Sequence, residues 1–372
     1  MRILYFTRDY TPHDYRFLAS LAQTDHRVFM LRLERRDPQR EDRPITASIE
    51  QIAWRGGSRP ARRQDGWGLL RDLRRVIRQV HPDVVHAGPI QTAAFLTALS
   101  GYQPLVSMSW GSDLLRDAQR SRAWRWATVF TLRRTRILVG DCQAVRQKAI
   151  QFGFPTERIV TFPWGVNLQE FSPAAESDFR RRLGWEDAFV LLSLRAWEPL
   201  YGVDVLVRAF ILAAQQRPEL RLFLLGAGSQ APLIHQLVAQ NGLQDRVYFG
   251  GQVSYASLVR YYHASDLYLS ASHSDGSSVS LMEALACGLP VLVSDIPSNR
   301  EWITPGEQGM LFPDGSVNAL AEAILAAARQ PERLAPMRRA SRTLAEQRAN
   351  WPVNFQQLLH AYEMAVQKEG AV

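Results

Sequence analysis

The sequence contains few of the residues and patterns that mark secreted, zinc-binding or membrane-spanning proteins. Among its 372 residues the only cysteines are Cys142 and Cys287. Because they lie far apart and outside any Cys-x-x-Cys spacing, neither a disulfide framework nor a zinc site is predicted. No apolar run approaches the roughly 20 residues that cross a bilayer, and no signal-peptide pattern precedes the apolar segment Ile3 to Phe6. We therefore expect a cytoplasmic protein.

Lysine is also scarce, since only Lys148 and Lys368 occur, and arginine supplies nearly all of the basic charge. The net charge is +8, and residues 1–160 hold 27 basic and 15 acidic side chains, so the excess lies in the N-terminal half. Such a charge indicates a nucleic acid, an anionic membrane or a phosphorylated ligand as partner. No nucleic-acid recognition motif accompanies the charge, and we do not expect nucleic-acid binding.

Two basic and aromatic stretches, Trp67 to Val80 and Arg116 to Arg136, have two open interpretations. The first has apolar residues at helical spacing, and the second holds Trp124 and Trp126 among arginines. This composition is typical of a helix that packs its apolar stripe on a sheet and exposes its arginines. It is also found in helices that lie on anionic lipid surfaces. Peripheral contact with the inner face of a membrane, through the basic N-terminal domain, is therefore the second interpretation.

Short apolar runs alternate with longer segments of helical periodicity, which predicts an α/β fold with parallel sheets. The pattern restarts after Gly165, so we predict two Rossmann-like domains, at residues 1–168 and 169–350. Two such domains facing each other would form a central cleft at the carboxyl ends of their strands. The predicted strands are Ile3 to Phe6, Val28 to Leu31, Val84 to His86, Leu105 to Met108, Ile137 to Val139, Val190 to Leu194, Leu222 to Leu225, Val247 to Phe249, Leu267 to Leu269 and Val291 to Val293.

The segment from Ser272 to Val291 carries the strongest chemical signal. A polar, glycine-containing loop leads into a predicted helix that ends near Gly288. The N-terminus of a helix attracts anions through its free N–H groups and its dipole. The backbone N–H groups of Ser277, Ser278 and Val279 would therefore point toward a diphosphate.

Two carboxylates flank this helix N-terminus. Glu283, one turn into the helix, offers two acceptor oxygens that match the two hydroxyls of a ribose. Asp275, before the helix, is placed to hold sugar hydroxyls. The alternative interpretation is an ordinary N-capped helix with an exposed glutamate.

The spacing of Asp275 and Glu283, with seven residues between them, resembles the hallmark of retaining glycosyltransferases with two Rossmann-like domains, the GT-B fold of the family 4 or group 1 type. Glutamate is usual in that family where this chain has Asp275. The resemblance covers almost the whole C-terminal domain but only fragments of the N-terminal half. The C-terminal matches are Gly226 to Gly228, Val247 to Gly250, Tyr262 to Asp266, Gly288 to Val291, Ser294-Asp295, Glu301 and Gly306 to Leu311. The N-terminal matches are Pro82 to His86, Gly111 to Asp113 and Pro163 to Val166.

The resemblance implies transfer of a sugar from a UDP- or GDP-sugar to an acceptor hydroxyl, with retention at the anomeric carbon, in polysaccharide or glycolipid synthesis. Arg195 stands where the family has an arginine that grips the donor diphosphate, and a guanidinium fork suits that role. Arg195, Asp275 and Glu283 would be catalytic, and Gly250 would lie at the donor. The N-terminal domain would bind a glycan or lipid-linked acceptor. The last segment, 351–372, would form a helix that crosses back to that domain.

The chain departs from the family at the position before Gly202, where a lysine is usual and Tyr201 stands instead. Tyrosine donates one hydrogen bond but brings no positive charge, so Tyr201 is expected to contact the donor without replacing that charge. Arg300 and Arg16 are the candidates for supplying it.

Two further departures concern the N-terminal domain. Trp110 replaces a histidine that lies near the reacting sugar in relatives, and its ring could stack on a sugar face. Asp113 remains a polar candidate for substrate binding, with the role of a helix N-cap as the alternative. In the first loop His13 and Arg16 replace a glycine pair, so they are candidates for contacts with the diphosphate or the acceptor. For His13 a structural role is the alternative.

No Asp-x-Asp pair occurs, so the metal-chelating device of the other main glycosyltransferase architecture is missing and no metal ligand is predicted. We expect no tightly bound cofactor, and a non-essential Mg²⁺ stays open. The turn Gly226 to Gly228 is too short for a dinucleotide fingerprint. Two other functions are alternatives. One is a catalytically weak scaffold that binds nucleotide sugar or glycan, as Tyr201 and Trp110 indicate, and the other is a nucleotide-sugar epimerase of similar architecture.

Overall fold

The computed structural model describes residues 1–35, 41–174 and 178–367. Compactness divides the chain into two units. The first comprises Met1–Phe162 together with Phe355–Val372, and the second comprises Pro163–Asn354.

The first unit is a parallel α/β sheet with helices on both faces. Its described strands are β1 (Arg2–Thr7), β2 (Arg27–Arg32), β3 (Glu50–Gln51), β4 (Val84–Gly88), β5 (Leu105–Met108), β6 (Ile137–Gly140) and β7 (Ile159–Thr161). Its helices are α1 (Pro12–Leu21), α2 (Gly66–Val80), α3 (Phe95–Ser100), α4 (Ser112–Leu115), α5 (Arg122–Arg134) and α6 (Gln143–Gln151). The strand order is β3-β2-β1-β4-β5-β6-β7. The chain leaves β1 toward β2 and returns to β4 on its other side, which places a topological switch point between β1 and β4.

The second unit repeats this plan. Its described strands are β8 (Phe189–Ser193), β9 (Leu220–Leu225), β10 (Val247–Gly251), β11 (Leu267–Ser270), β12 (Val291–Ser294) and β13 (Gly309–Phe312). Its helices are α7 (Asp178–Leu183), α8 (Val203–Gln216), α9 (Ala231–Gln240), α10 (Tyr255–His263), α11 (Val279–Ala286), α12 (Pro297–Arg300), α13 (Val317–Arg329) and α14 (Leu334–Arg348), and α15 (Trp351–Val366) begins in this unit and ends in the first. The parallel strands follow the order β10-β9-β8-β11-β12-β13, so the switch point lies between β8 and β11.

All ten predicted strands overlap observed ones, which confirms the predicted class of two α/β domains with parallel sheets. The sequence pattern missed β3, β7 and β13. The strands β3 and β7 have only two and three residues, and both residues of β3 are exposed and polar. At Gly309, the first residue of β13, an added Cβ would lie 2.0 Å from the carbonyl oxygen of Val291. The close approach of β12 requires glycine, a residue that weakens a strand pattern.

Alternation along β4 separates the two faces of the first sheet. Val85 and Ala87 belong to a core built with α2 and α3, whereas His86 points to the opposite face. There its Nδ1 lies 2.6 Å from the hydroxyl of Tyr362 on α15, and its ring stands 6.3 Å from that of Phe17 on α1. Within the described residues, no helix has the length and apolarity needed to cross a membrane.

His86 makes the stability of the first unit depend on pH. Burial lowers the pKa of His86 to about 3, so the ring stays neutral in the fold while an unfolded histidine takes up a proton below about 6.5. Its contribution to stability is therefore lost as the pH falls from 6.5 toward 3. We expect the free energy of unfolding of the wild type to fall by about 2 kcal/mol more than that of His86→Gln between pH 6.5 and pH 5.

Urea denaturation at the two pH values checks this prediction. Burial raises the pKa of Asp14 on α1 to about 6, which acts in the opposite direction, but Asp14 is present in both proteins and its effect cancels in the difference. Parallel stability curves for wild type and His86→Gln would contradict the prediction.

Candidate active site

The carboxyl ends of β8 and β11 bring the strongest predicted residues together. The two strands are hydrogen-bonded neighbours on either side of the switch point of the second sheet. Arg195 follows β8, and Asp275 lies in the loop between β11 and α11. Crevices at switch points of open parallel sheets are where such folds bind ligands. The second unit therefore presents its charged residues at the expected position.

Arg195 is the centre of the hydrogen-bond network at this edge. Its Nη2 donates to Oδ2 of Asp275 at 2.5 Å, and its Nη1 donates to Oγ of Ser278 at 2.8 Å and of Ser280 at 3.3 Å. The Nε of Arg195 is buried and has no hydrogen-bond partner within the described part of the chain. The ion pair is largely shielded, since the two side chains are 12% and 19% exposed. The guanidinium thus ties the end of β8 to the first turn of α11.

A second set of bonds connects this network to Glu283. The hydroxyl of Tyr262 donates to Oε2 of Glu283 at 2.7 Å, and the hydroxyl of Tyr268 lies 2.7 Å from Oγ of Ser280. Glu283 is 4% exposed, so the exposed glutamate of the alternative interpretation is wrong. Tyr268 and Ser280 are site residues that the sequence pattern does not predict. Tyr262 was noted only as part of a family motif, because nothing in the sequence shows which carboxylate its hydroxyl reaches.

The N-terminus of α11 carries the predicted amides. Ser278 is the N-cap and Val279 the first helical residue, with Ser277 directly before them. Ser277 and Ser278 are buried, and the indole of Trp302 donates to Oγ of Ser277 at 3.3 Å. The loop is therefore held by Arg195, which follows β8, and by Trp302, which follows α12.

Burial governs the electrostatics of the loop. Desolvation raises the pKa of the Asp275 carboxyl, although Arg195 and the N–H of Gly276 work against that shift. The carboxylate accepts a hydrogen bond from this N–H at 3.0 Å. Asp275 is therefore occupied by contacts within the loop and by the ion pair.

The ring of Tyr201 lies against Arg195, and Gly202 and Gly250 each approach a neighbour closely. The guanidinium carbon lies 4.4 Å from the centroid of the Tyr201 ring. Gly202 has φ +56°, and a Cβ there would lie 2.2 Å from the carbonyl oxygen of Ala271. At Gly250, a Cβ would lie 2.3 Å from Cδ2 of Leu225, so close packing of β10 on β9 accounts for this glycine.

In the first unit, His13 and Trp110 lie together. His13 is on α1 and Trp110 follows β5, and their ring centroids are 5.2 Å apart. Arg16, one turn along α1, is partly exposed. Gly88 at the end of β4 makes room for the indole, because a Cβ there would lie 3.1 Å from its Nε1.

Asp113 holds the turn that carries Trp110. Its Oδ1 accepts from Oγ of Ser109 at 2.6 Å and from the backbone N of Trp110 and of Leu114 at 3.0 Å, and its Oδ2 accepts from the backbone N of Ile90 at 3.0 Å. Asp113 is buried, and this burial raises its pKa. Asp113 lies inside α4, whose N-cap is Gly111, so the alternative interpretation of Asp113 as the helix N-cap is wrong. Its contacts instead stabilise the turn that leads into this helix.

Among the described residues, no group of three or more histidine, cysteine, aspartate or glutamate side chains is arranged to hold a metal ion. Arg300, a candidate for the missing charge, is paired with Asp295 through its Nε at 2.5 Å.

The chain is similar to known glycosyltransferases. It is 29% identical over 243 residues to the D-inositol 3-phosphate glycosyltransferase of Thermobispora bispora, covering 63% of this chain and 56% of the relative. It is 32% identical over 206 residues to the phosphatidyl-myo-inositol mannosyltransferase of Mycobacterium leprae, covering 55% of this chain and 53% of the relative. The chain thus spans little more than half the length of these curated relatives.

A solved structure resembles the whole chain. The crystal structure of Anabaena HepE in complex with UDP-glucose superposes with a TM-score of 0.79 at 21% identity, covering 98% of this chain and 99% of HepE. The family described as Glycosyltransferase Family 4 matches residues 13–170, and the family described as Glycosyl transferases group 1 matches residues 175–344. With both halves matched and the fold shared, the chain belongs to the group 1 glycosyltransferases of the GT-B fold.

Proposed function

We propose that this chain is a retaining glycosyltransferase that moves a sugar from a UDP- or GDP-sugar to an acceptor hydroxyl. The observation that carries the proposal is the network of Arg195, Asp275 and Glu283 at the switch point of the second sheet. A guanidinium and a helix N-terminus side by side suit a diphosphate. The structure of HepE with UDP-glucose supports a UDP-sugar as the donor class.

Each element of this network has a proposed role. The amides at the start of α11 and Arg195 bind the diphosphate and stabilise the charge that develops on it as the sugar leaves. Glu283 accepts hydrogen bonds from the ribose hydroxyls, and the bond from Tyr262 fixes its carboxylate. Asp275 orients Arg195, and we expect its carboxylate also to contact sugar hydroxyls. We expect Gly250 and Tyr201 at the edge of the same site.

The first unit is the proposed acceptor-binding domain, with His13, Arg16 and Trp110 as the contacts. Trp110 offers an indole face to a sugar or cyclitol ring. Because Trp110 stands where relatives have a histidine, no obvious base remains at the positions that match the family, and a donor phosphate oxygen is the proposed proton acceptor. The two curated relatives are named for inositol-containing acceptors, which supports a polyol, glycan or lipid-linked hydroxyl as the acceptor class. No tightly bound cofactor is required in this scheme, and a non-essential Mg²⁺ would accompany the donor.

Donor binding is the first prediction of this proposal. We expect UDP or GDP to raise the melting temperature of the wild type, because a ligand of the folded state stabilises it. Loss of a charged acceptor at the ribose costs about 1.5–3 kcal/mol, so Glu283→Gln should weaken nucleotide binding at least about tenfold. Calorimetric titration measures this, with Glu219→Gln as the matched control, since Glu219 pairs with Arg217 away from the site. Equal affinities for Glu283→Gln and wild type would refute the proposed role of Glu283.

Product stereochemistry is the second prediction. NMR of the first-formed glycoside should show the anomeric configuration of the donor sugar, and an inverted product would exclude the retaining mechanism.

The scaffold alternative, which Tyr201 and Trp110 favour, predicts nucleotide binding without turnover across a panel of acceptors. An epimerase would release an altered nucleotide sugar in the absence of acceptor.

We also propose that the first unit contacts an anionic membrane through the outer faces of α2, α3 and α5, which we call the basic helical face. On α2, Trp67, Arg71, Arg74 and Arg78 recur at helical spacing on the side away from the core. Trp67 is 85% exposed. A row of arginines headed by an exposed tryptophan suits lipid headgroups and their interface.

The helix α5 continues this face. It carries Arg122, Arg125, Arg133 and Arg134 and no acidic residue, and Trp126 is 57% exposed and stacks on Phe130 at 5.2 Å between centroids. Phe95 of α3 lies against the same indole. Phe130 packs on the core shared by α2 and α3, so the three helices cover one side of the sheet. Proximity to a membrane would suit a lipid-linked acceptor.

Vesicle co-sedimentation tests this contact. We expect the full chain to bind vesicles containing phosphatidylglycerol but not pure phosphatidylcholine, and added salt should reduce the binding. The double variant Trp67→Ser with Trp126→Ser should lose most of it, whereas Val353→Ser, a change at another exposed apolar residue, should not. Wild-type binding that is equal for both vesicle types, or binding to single-stranded DNA in preference to vesicles, would contradict the proposal.

A further inference from the structure

Arg195 is constrained on nearly every side before any ligand is considered. Its two terminal nitrogens are held by Asp275, Ser278 and Ser280. One planar face of the guanidinium is covered by the ring of Tyr201 at 4.4 Å. Tyr201 lies in the turn after β8, whereas Asp275, Ser278 and Ser280 lie in and after the loop that follows β11. The orientation of the arginine therefore depends on two separate segments of the second unit.

Two hydrogen-bond donors of this arginine remain for a ligand. A guanidinium has five N–H donors, and three of them bond to Asp275, Ser278 and Ser280. The Nε–H is one of the other two, and it is buried without a partner among the residues that the structure describes. A buried donor left unpaired is unfavourable, and a bound oxyanion would remove that cost. The Nε–H and the adjacent Nη2 form the edge of the guanidinium that can take an anion in a forked arrangement.

Tyr201 is itself held rigidly enough to orient a neighbour. It ends the turn Pro199–Tyr201, and the following Gly202 adopts a left-handed conformation against Ala271. The backbone N of His273 donates to the carbonyl of Leu200 at 2.9 Å, which ties this turn to the loop that carries Asp275. The ring therefore has a defined position relative to that loop.

We propose that Tyr201 is a positioning residue that holds the guanidinium of Arg195 in the orientation that binds the donor diphosphate. The inference rests on the proposed function. Where the family has a second cation, this chain has an aromatic ring, and the charge of Arg195 is already balanced by Asp275. Binding of the diphosphate in this chain then depends more on the orientation of one guanidinium than on the net positive charge of the site. The phenol hydroxyl has no part in this role, because the contact is made by the ring face.

Calorimetric titration of nucleotides tests the proposal on the full chain. The probes are UDP and UMP, or GDP and GMP if guanine nucleotides are the ones that bind. Because a shielded cation–π contact holds a guanidinium in place more strongly than an exposed one, Tyr201→Leu should weaken UDP binding about tenfold and UMP binding less than twofold. Tyr201→Phe keeps the ring and should bind UDP like the wild type. Phe179→Leu, which removes a ring 5.0 Å from Arg260 in the same unit, is the control and should bind UDP normally.

A spectroscopic measurement tests the geometry without any nucleotide. The Nε–H resonance of Arg195, identified by its loss in Arg195→Lys, should carry a ring-current shift in the wild type and in Tyr201→Phe but not in Tyr201→Leu. Three results would each overturn the proposal. The first is equal UDP affinity for Tyr201→Leu and wild type, and the second is an equal loss of UDP affinity in Tyr201→Phe and Tyr201→Leu. The third is an Nε–H chemical shift in Tyr201→Leu that equals that of the wild type. A wild type that binds neither UDP nor GDP would instead refute the proposed function on which it rests.

Discussion

The ion pair between Arg195 and Asp275 joins two loops that are 80 residues apart in the sequence. The pair is shielded from solvent, and a shielded charge is stable only when it is matched and hydrogen-bonded. Here Ser278 and Ser280 complete the bonding of the guanidinium. The same contacts hold the loop that leads into α11, so the order of the whole candidate site depends on this one interaction.

The sheet beneath the ion pair fixes the positions of the two loops that carry Arg195 and Asp275. The strands β8 and β11 are buried and parallel, and their carboxyl ends carry the two charged residues to the same edge. Gly202 and Gly226 let the backbone approach closely, since added Cβ atoms would lie 2.2 Å from the oxygen of Ala271 and 2.6 Å from that of Arg195. Their φ values of +56° and +104° also favour glycine. Hydrophobic burial thus fixes the strands, and the glycine turns after them fix the backbone near Arg195 and Tyr201.

The first unit uses the same architecture differently. Two of its buried polar groups, His86 with Tyr362 and Asp113 with the Trp110 turn, are hydrogen-bonded within the unit and stabilise it. Its polarity toward solvent comes instead from arginines on the outer faces of helices. This division explains why most of the positive charge lies outside the core, where it costs little desolvation.

The sequence by itself determined the two parallel α/β units, because buried strands appear in a sequence as apolar runs. It also determined the segment from Asp275 to Glu283, because a polar loop that enters a helix is a pattern typical of an anion site. It could not show that Arg195 reaches Asp275, Ser278 and Ser280, that Tyr262 bonds Glu283, or that Asp113 is enclosed by backbone amides. Those contacts join residues that are distant along the chain, and only the register and packing of the strands bring them within hydrogen-bond distance. The short edge strands β3 and β7 also depend on the tertiary structure, because pairing with β2 and β6 stabilises them and two or three residues are too few to show a strand pattern.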